Sequence, residues 1–368
     1  NTDITIQWSI FSESLNDPFS QREHGYAATI GGMRASYHHN LFAHNKGRNP
    51  SIGGGDRDRR SELDIINNVV YNWKTRVCDG KPHAVNFIAN YYKPGPATPY
   101  GKRKVIAEIQ SSQRYGFHSK WFIQDNFIEG FPELAEDNWS GSVRFRSGCS
   151  IKENQELLPF DNGNFFIRDP KEAYLSVLMN AGVVTPKRDE VDNRIIREVL
   201  SGTATFGNGI IDDVTEVGGW PKLSTYNVQI DSDNDGIPND WEIAEGLNPN
   251  DPSDRLHIKD GEVYDNLERY LNELASNQDF LLPPINLKGT FNNLNYEVSL
   301  DWIDISDNED GFIIQKSNSS GGFSTIGKVG AGVTRFVDSN LTPDQKTRYR
   351  VIAYKGNRTS ISSIIIDI

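Results

Sequence analysis

Asparagine recurs at one register position down the first third of the chain, and that column limits the possible folds more than any other feature. With Ser9, Asn40, Asn68, Asn90 and Asn126 in register, five segments align without gaps: TIQWSIFSE, SYHHNLFAH, DIINNVVYN, NFIANYYKP and FIQDNFIEG. Three positions before the column every residue is apolar (Ile6, Tyr37, Ile65, Phe87, Ile123). The two positions after it are apolar as well (Ile10, Leu41, Val69, Tyr91, Phe127, then Phe11, Phe42, Val70, Tyr92, Ile128). Short strands joined at a bend and repeated at 22 to 36 residues describe a β-solenoid whose loops differ in length. A right-handed parallel β-helix fits best, because a buried Asn at each bend can hydrogen-bond the backbone and the Asn of the next coil. Asn favours turns in general, but that preference alone does not align three apolar columns.

Charge divides the chain. Of 38 Lys and Arg and 50 Asp and Glu, residues 1–150 hold 18 and 15, leaving 20 and 35 to the rest. The basic excess lies in the solenoid, which is where an anionic ligand would be drawn. The expected divisions are a β-helix core over 1–150, a helical and loop extension over 151–225, a calcium-binding segment over 226–276 and a β-sandwich over 283–368. Cys78 and Cys149 are separated by two coils at about 4.8 Å per coil, beyond the roughly 7 Å a disulfide spans, so two free thiols are expected. No apolar run is long enough to cross a membrane. The first residues already read as a strand (Asp3-Ile4-Thr5-Ile6), so an upstream segment or a second polypeptide is expected to cover that sheet edge.

Residues 171–181 and 186–200 read as helices, stopped by Gly182 and Gly202, and are expected to pack along the outside of the coils. Residues 231–242 have Asp231, Asp233, Asp235 and Glu242 at positions 1, 3, 5 and 12, with Gly236 at 6, the carbonyl of Ile237 at 7 and Asn239 at 9. This is the pattern of the twelve-residue EF-hand calcium loop, in which Gly236 allows the turn and Asp231, Asp233, Asp235, Ile237, Asn239 and Glu242 are expected to ligate a structural calcium. Residues 258–269 read as a second copy that has lost its ligands. Beyond Pro283-Pro284, three alternating segments around Trp302, Phe312 and Tyr349 predict a β-sandwich. With Trp302, and with Leu341-Thr-Pro343 followed by Tyr349 as a tyrosine corner, it resembles a fibronectin type III domain.

The solenoid and its extension resemble the pectate lyase superfamily, in particular secreted bacterial polysaccharide lyases of family one. The motifs are Gln7-Trp8-Ser9-Ile10-Phe11-Ser12-Glu13-Ser14-Leu15, His24-Gly25-Tyr26, Ser36-Tyr-His-His-Asn-Leu-Phe-Ala-His44, Arg48-Asn49-Pro50, Asn90-Tyr-Tyr-Lys-Pro-Gly-Pro96 and Val217-Gly-Gly-Trp-Pro221. The resemblance implies secretion, or a place on the bacterial surface, and calcium-dependent β-elimination of galacturonan with an Arg as base, which falls on Arg48. Three departures stand out. Ser51 replaces the second basic residue that many relatives carry after Arg-Asn-Pro, the Gly-rich stretch after Tyr26 lacks its aromatic, and the calcium-binding aspartates of the preceding coil are missing.

The chemistry agrees with those residues. Removing the C5 proton of a uronate requires a cation to offset the neighbouring carboxylate, and calcium can serve as that Lewis acid. Glu13 and Asp17 follow one column residue at four and eight positions, as His44 and Arg48 follow the next, so Glu13 and Asp17 are expected to hold calcium beside the base. Deprotonating a guanidinium near pH 8 costs roughly 6 kcal/mol, so an alkaline optimum is expected. Lys46, Arg57, Arg59, Arg60 and His24 are candidates to bind the acidic polysaccharide. Arg48 paired with Asp17, and residues 56–60 as a solvated turn, are the corresponding structural alternatives. No zinc spacing, phosphate loop or nucleophile elbow occurs, and no nucleic-acid partner is expected. The competing function is a non-catalytic carbohydrate-binding or surface-attachment protein on a degenerate lyase scaffold.

Overall fold

The Asn column turns out to mark a bend that one backbone conformation repeats. In a computed structural model of the chain, the residue before each column position (Trp8, His39, Asn67, Ala89, Asp125) has φ between 51° and 58°, a left-handed conformation that turns the strand sharply. The structure describes residues 2–17, 23–53, 61–112, 116–161, 167–184, 188–222, 229–276, 281–306, 309–318, 322–339, 341, 346–356, 358–363 and 365–368.

Three parallel five-stranded sheets wind through the first 145 residues. The first holds Thr2–Gln7, Met33–His38, Glu62–Ile66, Ala84–Ile88 and Lys120–Gln124; the second, Ile10–Ser12, Leu41–Ala43, Val69–Tyr71, Tyr91–Lys93 and Phe127–Ile128. The third holds Thr29–Ile30, Ser51–Ile52, Cys78–Gly80, Ala107–Ile109 and Val143–Phe145. Each coil visits the sheets in that order, which is a parallel β-helix. A one-turn helix, α1 (Ile151–Asn154), follows the last coil, where Gln155 bridges Trp121.

At the bends the Asn side chains form a continuous ladder. Each donates to the carboxamide oxygen of the next, from Asn40 to Asn68 (3.1 Å), Asn90 (3.0 Å) and Asn126 (2.9 Å). The same Nδ2 groups donate to the carbonyls of Ile6, Tyr37, Ile65 and Phe87. The ladder continues to Asn138, 2.9 Å from Asn126, which lies outside the aligned segments.

The apolar columns divide between two cores. Tyr37, Ile65, Phe87, Ile123, Phe42, Val70, Tyr92 and Ile128 fill the inside of the solenoid. Leu41, Val69 and Tyr91 point outward and are covered by α2 (Pro170–Asn180) and α3 (Glu190–Ser201) through Tyr174, Val177, Leu178, Ile195, Ile196 and Val199. The helices therefore exist to bury an outer apolar column, at about 25 cal/mol per Å² removed from water. Helix α3 begins at Glu190, four residues later than expected, because the Asp189 side chain caps it by accepting from the Asp192 N–H (2.9 Å). Cys78 and Cys149 are both free.

Helices α4 (Asn239–Glu245) and α5 (Asn266–Ser276) follow. The last part is a sandwich of two antiparallel sheets, Ile285–Asn292, Glu297–Ile303 and Arg335–Asp338 against Ser324–Gly330, Gly311–Asn318, Thr347–Lys355 and Arg358–Ser362. Trp302, Phe312 and Tyr349 are buried between them. The Tyr349 hydroxyl donates to the Asp338 carboxylate (2.8 Å); residues 342–345, which include part of the expected corner motif, lie outside the described residues.

Candidate active site and calcium loop

Between the second and third sheets the backbone of the second described coil bends at His44 (φ 57°) and again at Arg48 (φ 54°). Tyr26 of the preceding coil pairs with Gly47, and Thr29 with Ser51, so Arg48 falls at a one-residue offset between two register pairs. A left-handed backbone there costs an L-residue about 1–2 kcal/mol, and the bend carries the guanidinium away from the interior. Arg48 is half-buried, with its Cζ 4.3 Å from the centroid of the Tyr26 ring. Its Nη1 donates to Thr29 Oγ1 (3.2 Å), while its Nε is shielded from solvent with no acceptor. No described carboxylate lies within ion-pair reach of it, so the alternative of an Arg48–Asp17 pair is not what the geometry gives.

The other expected residues scatter. Lys46 is buried and its ammonium is taken by the exposed carboxylate of Glu23. His24 is exposed, its ring centroid 5.6 Å from that of Tyr26. Arg57, Arg59 and Arg60 lie outside the described residues. Asp17 is half-buried with one oxygen, Oδ1, unpartnered. Glu13 is a correction: both of its oxygens accept from Arg194 of α3, at 2.7 and 2.8 Å, so it is not available as a calcium ligand beside Arg48.

Glu13 belongs instead to a buried ionic network that fastens α3 to the coils. Arg194 also reaches Glu198 (3.3 Å), and Glu198 pairs with His44 Nε2 (2.8 Å). Burial pushes the Glu198 carboxyl up, but the hydrogen bond and charge of His44, with hydrogen bonds from Thr205, outweigh it and hold it at about 2. His44 Nδ1 in turn meets the Asn72 side chain (2.9 Å). Gly209 closes the network: a Cβ there would lie 2.1 Å from His44 Nδ1, so no larger residue fits.

The acidic loop is a different kind of site. Asp231, Asp233 and Asp235 present oxygens within 4.8 Å of one another, and so do Asp235, Glu242 and Asp254. Glu242 is fully buried with neither oxygen bonded, and both oxygens of Asp233, one of Asp235 and one of Asp254 are likewise unpartnered. Burial, then the charges of Asp233, Asp235 and Asp254, push the Glu242 carboxyl up to about 7. So many converging carboxylates without donors suit a hard cation bound by oxygens. Asn239 is the second correction. Its side chain accepts from the Ser232 N–H (2.8 Å) and donates to Ser232 Oγ (2.8 Å), so it faces the loop backbone and not the cluster. Asp254, from beyond the twelve residues, supplies a carboxylate to the cluster. The degenerate second copy acts as its support: Asn266, at the start of α5, donates to the Asp254 carbonyl (2.8 Å).

Comparison with known proteins finds relatives for most of the chain. It is 30% identical over 284 residues to a probable pectate lyase C of Aspergillus fumigatus, covering 74% of this chain and 60% of that protein. A probable pectate lyase C of Emericella nidulans is 30% identical over 277 residues, covering 74% and 59%. The chain thus spans about 60% of the length of the curated relatives it matches, and those relatives are fungal where the sequence motifs suggested bacterial ones. The sandwich is similar to an Fn3-like protein from Clostridium thermocellum (19% identity, 23% of this chain and 86% of that one), but with a TM-score of 0.21 this does not assign its class. No family model matches the chain.

Proposed function

We propose that the chain carries the elimination site of a secreted polysaccharide lyase that cleaves a pectate-like uronan, with Arg48 as the base. The observation that carries this reading is a half-buried guanidinium at a left-handed bend, with no carboxylate among the described residues paired to it. The similarity to probable pectate lyases and the basic excess of the first 150 residues support it.

In the proposed reaction the neutral guanidine of Arg48 accepts the C5 proton. The C5–H electron pair becomes the C4=C5 double bond, the C4–O bond breaks, and the departing oxygen of the adjoining sugar takes a proton from solvent. General-base catalysis of this kind contributes about 10²–10⁴-fold. The described residues beside Arg48 do not gather into a calcium cage, since Glu13 is held by Arg194 and both acidic clusters among the described residues lie within residues 231–254. Calcium is assigned to the 231–254 loop, held by Asp231, Asp233, Asp235, Glu242 and Asp254 with the Ile237 carbonyl, where it would neutralise the converging carboxylates.

Product mass tests the reading. Elimination from polygalacturonate leaves an unsaturated terminal uronate and adds no water across the cleaved bond, whereas hydrolysis adds one. Unsaturated oligomers from the wild type and none from Arg48→Ala are expected. Retained binding to polygalacturonate without cleavage by the wild type would instead make the protein a carbohydrate-binding scaffold.

A further inference from the structure

Arg76 stands one coil beyond Arg48, and its guanidinium lies over the same aromatic ring: its Cζ is 5.2 Å from the Tyr26 centroid, against 4.3 Å for Arg48. Three consecutive coils thus contribute Tyr26, Arg48 and Arg76 to one spot on the outer surface. Gly47 makes this possible. It pairs with Tyr26 in the coil between, and a Cβ there would come within 3.0 Å of Arg76 Cγ and 3.0 Å of Thr75 Oγ1.

Arg76 is also held from beneath. Asp79, fully buried on the third sheet, takes Arg76 Nη1 on Oδ2 at 2.9 Å. The same oxygen accepts from Gln110 (3.0 Å), and Oδ1 accepts from Ser51. The carboxylate is thereby saturated by fixed donors, and the Arg76 side chain remains 29% exposed. No other acceptor among the described residues bonds the Arg76 guanidinium, leaving N–H groups for a ligand. Ser51, which stands where the resemblance leads one to look for a second basic residue, is spent on Asp79.

We infer that Arg76 is the uronate-carboxylate receptor of this site, oriented by Asp79, and that it supplies from the next coil the cation that the position after Pro50 lacks. The inference rests on the lyase reading and deepens it. Arg48, as the proposed base, is taken up with the C5 proton, so the substrate carboxylate needs a separate partner to bind it; Arg76, ion-paired to the buried Asp79, presents the neighbouring guanidinium. A guanidinium fork matches a carboxylate in two parallel hydrogen bonds, so the site selects free uronate over its methyl ester. Asp79 is a positioning residue and touches no substrate.

The experiment measures kcat and KM on polygalacturonate for wild type, Arg76→Ala, Arg76→Lys and Asp79→Asn, with calorimetric titration of trigalacturonate. Loss of a charge-assisted bidentate contact is expected to raise KM about 10- to 100-fold in Arg76→Ala, with kcat changed by less than about threefold. Arg76→Lys, which keeps the charge and guards against a folding defect, should recover part of that loss. Asp79→Asn should raise KM in the wild type and have little further effect when Arg76 is already Ala. An unchanged KM in Arg76→Ala, or a fall in kcat alone, overturns the assignment and leaves the lyase reading standing. A wild type that neither cleaves polygalacturonate nor binds trigalacturonate overturns both.

Discussion

The solenoid and the acidic loop bury polar side chains by opposite means. In the solenoid each Asn of the ladder donates and accepts, so its polar atoms are paired within the protein. In the loop six carboxylate oxygens of Asp233, Asp235, Glu242 and Asp254 are shielded from solvent with no donor. Both obey the rule that a buried polar group must be partnered. One meets it by repetition, since each coil completes the one before. On the proposed reading the other meets it with a cation from outside, so its stability should follow calcium while that of the solenoid does not. The network of Glu13, Arg194, Glu198 and His44 stands between them: charged like the loop, internally paired like the ladder.

Breaking the ladder should have the largest effect. Asn68 accepts from the Asn40 N–H and Nδ2 and donates to the Tyr37 carbonyl and Asn90. Asn68→Leu strands those groups in the core and should cost about 5 kcal/mol, read by chemical denaturation and the same with calcium or chelator. Glu198→Gln leaves Arg194 and His44 without their shared carboxylate and should cost about 3 kcal/mol. Its pH signature has a definite sign. The folded value of about 2 lies below the ordinary 4.5, so the stabilisation is fully present above pH 4.5 and is lost as pH falls from there to 2. The wild type should weaken over that window more steeply than Glu198→Gln.

Calcium at a hundredfold excess over its Kd should stabilise the loop by about 2.7 kcal/mol, seen as an upward shift in melting that chelator reverses and that persists in Asn68→Leu. The smallest effect sharpens the comparison within the loop. Asp254→Asn should weaken calcium binding about tenfold or more, while Asn239→Ala, whose side chain is already engaged by Ser232, should change it by less than about threefold. Equal losses in the two variants would restore the simple twelve-residue pattern.

What the sequence disclosed follows from the range of each interaction. The ladder was legible because its period is set by neighbouring coils, which repeat the same apolar flanks. Asn138 was not, since it follows Asn126 by only twelve residues and sits in a short 3₁₀ helix, Asn138–Ser140, without those flanks. Glu13 resembled a ligand until Arg194, 181 positions away, was brought against it. Asn239 has the right spacing and the wrong orientation, and Asp254 the right orientation outside the spacing. Arg76 belongs to no motif; only the stacking of three coils places it over Tyr26.

The most direct measurement is the ultraviolet absorbance of unsaturated uronide released from polygalacturonate by the wild type and by Arg48→Ala, both checked for equal melting temperature. The account predicts steady release by the wild type and a rate about 10²–10⁴-fold lower in the variant. An equal rate in the two proteins would contradict it.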